Sequence, residues 1–127
     1  MRRFSIVLAF VAVACQSDGP AAFVSDRQIL SAESVEELTY IPYGLAITVR
    51  CYVPDRCWKF DGALLMNYDT AIVGTIYGRP KGYVPCPEYP SFLDATVEWP
   101  GSTPGWYTFK FWHDSTSTID TTIYYDP

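Results

Sequence analysis

Leu45-Ala46-Ile47-Thr48-Val49-Arg50-Cys51-Tyr52-Val53 decides the fold. Leu, Ile, Val, Cys and Val fill the odd positions, while Ala46, Thr48, Arg50 and Tyr52 fill the even ones. In an extended chain, where successive side chains point to opposite faces, this makes one apolar face and one wettable face. A helix would scatter the same residues around its circumference, so the spacing predicts a half-buried strand. Working outward, residues 63–68 and 70–77 read as two more strands. They are separated by turn-prone residues 67–69 and bounded by Asp61-Gly62 and Gly78-Arg79-Pro80. Residues 92–99, 106–112 and 118–125 follow, joined by the Pro/Gly-rich 100–105 and by 113–116. Upstream, Ile29, Leu30, Val35 and Leu38 could line a helix, and Ser34 with Glu37 has capping-box spacing. The segment is short, however, and leads into Tyr40-Ile41-Pro42, so a first strand is expected at 33–40. Six to seven short strands with no helical pattern between them predict an all-β domain over residues 23–127, built as an antiparallel β-sandwich.

Before this domain the chain changes character. Arg2 and Arg3 precede an apolar run over residues 4–14, which ends in the small residues Ala12-Val13-Ala14 ahead of Cys15. As a helix the run would reach about 17 Å, well short of a hydrocarbon core of about 30 Å, so it reads as an export signal and not as a span. The Ala12-Val13-Ala14-Cys15 ending resembles a bacterial lipoprotein signal. That resemblance implies cleavage after residue 14, lipidation of Cys15 and, with Gln16 following, an outer-membrane destination. The other reading of the same residues is an ordinary Ala-x-Ala secretory site. Residues 1–14 are then the signal peptide, and 15–22 (CQSDGPAA) are the lipidated cysteine and a tether. Loss of Arg2 and Arg3 leaves seven basic residues against 14 acidic ones. Such a surface repels phosphate backbones and anionic headgroups, which argues against nucleic acid and leaves the lipid as the expected membrane contact.

Gly105-Trp106-Tyr107-Thr108-Phe109 resembles the Gly-x-Tyr-x-aromatic start of the penultimate strand in immunoglobulin-like domains. The likeness implies that the Tyr107 hydroxyl caps the preceding corner. Residues 44–112 are also similar to small bacterial lipoprotein domains with a Pro-x-x-Cys segment, here Pro54 to Cys57, and a second cysteine about thirty residues on, here Cys86. No activity comes with that resemblance. With Cys15 lipidated, Cys51, Cys57 and Cys86 make one disulfide and one free thiol in an oxidising compartment. Cys51 belongs to the inward set of its strand, whereas Cys57 and Cys86 sit in Pro-rich turns, so the expected bridge joins Cys57 to Cys86. A thiolate metal site is disfavoured, because Cys-x5-Cys is poor zinc spacing and the one histidine lies far along the chain.

Catalytic chemistry finds little footing. His113-Asp114 reads as a solvated turn, and no nucleophile elbow, metalloprotease helix motif or phosphate loop occurs. Asp94 and Glu98 share a strand face about 13 Å apart, beyond the separations that glycoside hydrolysis uses. Asp114, Asp120 and Asp126 form no defined calcium loop. No cofactor and no enzyme activity are expected. Aromatics make up 17% of the chain. If Tyr107 points inward, Trp106 and Trp112 point outward with Thr108 and Lys110, a platform on which a sugar ring or peptide could stack. The expected function is therefore a lipid-anchored, non-catalytic envelope domain that binds a glycan or an envelope protein there, without engaging His113 or the acidic residues. The alternative is an exported protease inhibitor presenting residues 100–105 or 78–83.

Overall fold

The computed structural model describes residues 27–81, 86–87 and 89–127. The expected signal peptide, Cys15, the expected tether and residues 82–83 of the 78–83 turn lie outside the described residues. All regular structure among the described residues is strand: β1 (Gln28–Ile41), β2 (Gly44–Val53), β3 (Lys59–Tyr68), β4 (Ala71–Arg79), β5 (Ser91–Pro100), β6 (Gly105–Asp114) and β7 (Ser117–Tyr125).

These strands form one seven-stranded sheet in the order β5-β2-β1-β4-β6-β7, with β3 on the outside of β4. Laid flat, β5 and β7 would stand about 24 Å apart, five strand spacings. Instead Trp99 of β5 and Tyr125 of β7 meet edge to face with centroids 5.2 Å apart. The sheet is therefore folded over on itself, and β1 is the fold line. Gln28, Ile29 and Leu30 pair with β4, after which Ser31 onward pairs with β2. Between the two halves lies a core of Leu45, Ile47, Val49, Cys51 and Val53 from β2, Ile72 and Ile76 from β4, Ala95, Val97 and Trp99 from β5, and Phe109 and Phe111 from β6. Trp99 is its hub. Its ring contacts Tyr107, Phe109 and Tyr125, and its indole N–H donates to Asn67 of β3 at 3.2 Å.

Two expectations need correction. The sheet is mixed: β4 and β6 run parallel, from Ala71↔Thr108 to Gly74↔Phe111. Parallel neighbours need a crossover, and β5, lying in the other half of the sheet, supplies it. Turn residues mark where strands end but not which strand a chain rejoins, so alternation alone suggested a wholly antiparallel arrangement. The first strand is also longer than 33–40. It carries two register shifts, between Ala32 and Ser34 and between Val35 and Glu37. Each inserts one residue, so the positions facing the β2 core run Ala32, Val35, Leu38, Tyr40. Steps of three mimic helical spacing, which is why this segment looked like a helix.

Candidate functional site

The two outer faces differ in chemistry. On the β1-β2-β5 half, Tyr52 and Phe92 lie exposed opposite each other at one end, and along the rest of the face polar groups satisfy one another across strands. Thr48 bonds Thr96 at 3.0 Å, Arg50 grips Asp94 through Nε and Nη2 at 3.0 and 3.3 Å, and the Tyr43 hydroxyl donates to Glu98 at 2.8 Å. The Arg50 guanidinium holds the Asp94 carboxyl below its ordinary value. Asp94 and Glu98 are thus engaged in surface pairs.

On the β3-β4-β6-β7 half, the outward rows carry Leu64, Met66 and Tyr68 on β3, Val73 on β4, and Trp106 facing Tyr124 across β6 and β7. Leu64, Met66 and Tyr68 are 46–56% exposed, and Trp106 is 64% exposed. Trp106 meets Tyr124 edge to face at 5.4 Å. Thr108 bonds Thr122 at 2.9 Å and Lys110 pairs with Asp120 at 3.0 Å, so both are committed to β7. The Tyr107 hydroxyl donates to the Thr103 carbonyl at 2.8 Å, closing the corner before β6 as a tyrosine corner does. That corner fixes the facing of the strand, with Phe109 and Phe111 fully buried on the same face as Tyr107 and opposite Trp106.

Trp112 does not join Trp106 in one platform. The two stand six residues apart, about 20 Å along the strand. Trp112 is half-buried and lines a cleft of about 230 Å³ with Gln28, Ile29, Leu30, Ser31, Tyr52, Pro54, Trp58 and His113. The cleft opens where β1 leaves β4 for β2, and no alternation within one strand signals such a meeting point. Trp58 reaches it from the link between β2 and β3. That link is fastened by the Cys57–Cys86 disulfide, whose S–S distance is 2.06 Å, and by the Asp55 carboxylate, which accepts from the Cys57 N–H at 2.8 Å. Asp55, Cys57 and Cys86 lie within 4.8 Å of one another, but the S–S bond consumes both thiolates that a soft metal would need. Cys51 is buried and free.

His113 is not a solvated turn residue. Its Nδ1 lies 2.7 Å from the Ala32 carbonyl oxygen and 3.1 Å from Ser31 Oγ, clasping the end of β6 to β1. A Ser-His pair beside a cleft resembles a nucleophile with its base. A carbonyl oxygen can only accept, however, so Nδ1 carries the proton and is not free to take one from Ser31. The Ser31 hydroxyl donates to Glu33 at 3.2 Å, and Asp114 sits 3.8 Å from Nε2, too far for a hydrogen bond. Asp114 instead holds the β6–β7 turn, accepting from the Thr116 N–H and from the Thr116 and Ser117 hydroxyls, which keeps its carboxyl below the ordinary value. Trp112 and His113 line the same cleft. Asp120 is taken by Lys110 and Thr118. Asp114, Asp120 and Asp126 form no metal-holding group among the described residues.

The loop at 100–105 is pinned from three sides. The Gly101 N–H donates to the Tyr43 carbonyl, and the Tyr125 and Tyr107 hydroxyls donate to the Gly101 and Thr103 carbonyls. Comparison with protein-family models, with curated proteins and with solved structures returns no match for this chain.

Proposed function

We propose that this chain is an exported, lipid-anchored, non-catalytic domain of the bacterial cell envelope, an immunoglobulin-like sandwich that binds an envelope glycan along the outward side of β6. The observation that carries the reading is the row of aromatics along the outward side of β6, an exposed Trp106–Tyr124 pair at one end and Trp112 in a cleft at the other, where the opposite outer face is mostly self-paired polar groups with Tyr52 and Phe92 exposed at one end. Aromatic rings spaced along one strand suit an extended ligand of several rings, whose C–H faces are attracted to the electron-rich faces of indole and phenol. The disulfide supports passage through an oxidising compartment. The Nδ1 proton of His113, held by the Ala32 carbonyl, removes Ser31 as a nucleophile activated through that nitrogen.

Two measurements test this reading. Mass spectrometry of the mature protein from its native host is expected to find a diacylglyceryl group on Cys15, and a free, unacylated N-terminus at or after Cys15 would rule the anchor out. Calorimetry of the full chain in detergent against peptidoglycan fragments is expected to show binding that Trp106→Ala weakens by roughly tenfold or more, the loss typical of an aromatic contact at the centre of an interface. Unchanged affinity in that variant would remove β6 from the site.

A second reading is favoured by the β3 row. Leu64, Met66 and Tyr68 offer apolar area without hydrogen-bonding groups, which suits an envelope protein better than a sugar. Protease inhibition through the pinned 100–105 loop is the remaining alternative, and assay against exported proteases tests it directly.

A further inference from the structure

We infer that the cleft at the β1 strand switch is a single-ring subsite for a neutral pyranose. The inference rests on the glycan reading above and assigns the cleft to one ring of that glycan. Its existence follows from topology. The β4–β6 pairing runs from Ala71↔Thr108 to Gly74↔Phe111, and beyond it β1 pairs with β4 at Ile76–Gly78 while His113 ties β6 to β1 at Ala32. Three strands thus separate around one point, leaving a hollow that Trp112, Tyr52 and Trp58 border.

Size, polarity and wall chemistry each narrow the occupant. At about 230 Å³ the cleft falls below the roughly 300–1,000 Å³ of drug-sized sites, so it takes one ring and not a long acyl chain. Among the described residues its lining holds no Lys or Arg, so a phosphate or carboxylate group entering it would lose water without meeting an opposite charge. Glu33 and Asp114, 3.7 and 3.8 Å from the His113 nitrogens, further disfavour an anion. Two indoles, a phenol and Pro54 provide flat apolar walls, and the same lining includes Gln28, Ser31 and His113, of which Ser31 Oγ already donates to Glu33 and His113 Nδ1 to the Ala32 carbonyl. A neutral ring with apolar C–H faces and a hydroxylated edge matches both parts. The rigidity of the site comes from the Cys57–Cys86 bond beside Trp58 and from the His113 clasp beside Trp112.

The test uses the full chain in detergent, with chitotetraose, maltotetraose and tetraproline as probes and saturation-transfer NMR and calorimetry as readouts. Gln28→Leu keeps the approximate volume of an exposed strand residue while removing its amide, and Trp112→Ala removes a wall. Circular dichroism and thermal melting check that each variant is folded. The expected result is saccharide binding that falls about tenfold or more in both variants, with sugar ring protons receiving saturation. Binding unchanged in both would overturn the cleft. If Trp106→Ala still weakened it, the glycan reading would survive without this subsite. Absence of saccharide binding in the parent would overturn both, and tetraproline binding in place of the sugars would overturn the pyranose assignment.

Discussion

Cys51 carries a thiol with no room to react. It is fully buried on the inward face of β2, and its nearest partner is the Val49 carbonyl at 3.9 Å. Burial disfavours the thiolate and pushes the group up to about 12, with Asp94 and Glu33 adding to the shift. The thiolate is the reactive form, so the native chain is expected to resist iodoacetamide at pH 8 and to take up one label at this position only when unfolded. Counting labels by mass spectrometry also reads the N-terminus, because an unlipidated Cys15 would add a second label. Native-state labelling of Cys51 would show that β2 opens far more readily than its packing implies. Cys51→Val, similar in size and fully apolar, is expected to leave stability within about 1.5 kcal/mol of the parent. Cys51→Ser places a hydroxyl among Ile47, Val49 and Val53 and is expected to cost about 1–3 kcal/mol, as read by urea denaturation.

Strands with one buried face and unbroken pairing were legible in the chain to within a residue or two. β2, β5 and β7 each alternate cleanly because the extra residues at the register shifts lie in their partners, two in β1 and one at His113 in β6. β1 was not legible for the opposite reason: its two inserted residues and its change of partner after Leu30 break the period that alternation relies on. The same limit hid the site. Trp112 was visible as an outward residue, but its meeting with Trp58 depends on where β1 crosses, and its sharing a cleft with His113 falls at the register shift between Trp112 and Asp114, neither of which local spacing records. The close approach of β2 to β5 gives a test at this level. Gly44 stands opposite Pro100, and a Cβ there would overlap the Trp99 carbonyl oxygen and crowd the Gly101 nitrogen. Backbone atoms cannot swing aside as a side chain would. Gly44→Ala is therefore expected to force the start of β2 away from β5 and to lower stability by about 1–3 kcal/mol, the usual cost of overpacking. An unchanged urea midpoint would mean that the two strands are more loosely joined than their register indicates.

The folded molecule closes its core from both ends of one sheet, and the charges left outside set how it answers to pH. Asp94, Asp114 and Asp120 all lie below their ordinary carboxyl value of 3.8, held there by Arg50, by the Thr116 and Ser117 donors, and by Thr118 with Lys110. A depressed carboxyl binds protons more readily in the unfolded chain, so these groups add stability above about pH 4 and lose it as pH falls through their folded values. All three are exposed, so each effect is small and the decline is gradual. Cys51 acts at the other limit. Its folded value near 12 exceeds the ordinary 9.0, so unfolding is favoured as pH rises above about 9, where only the unfolded thiol ionises. The expected thermal midpoint is flat from about pH 5 to 8 and falls on both sides. The limbs are separable by substitution. Asp94→Asn is expected to shallow the acid limb and leave the alkaline one, and Cys51→Val to do the reverse. Calorimetric scans at pH 2.5, 7 and 10.5 on the parent and both variants read this directly, and an alkaline fall undiminished in Cys51→Val would place its origin outside the core.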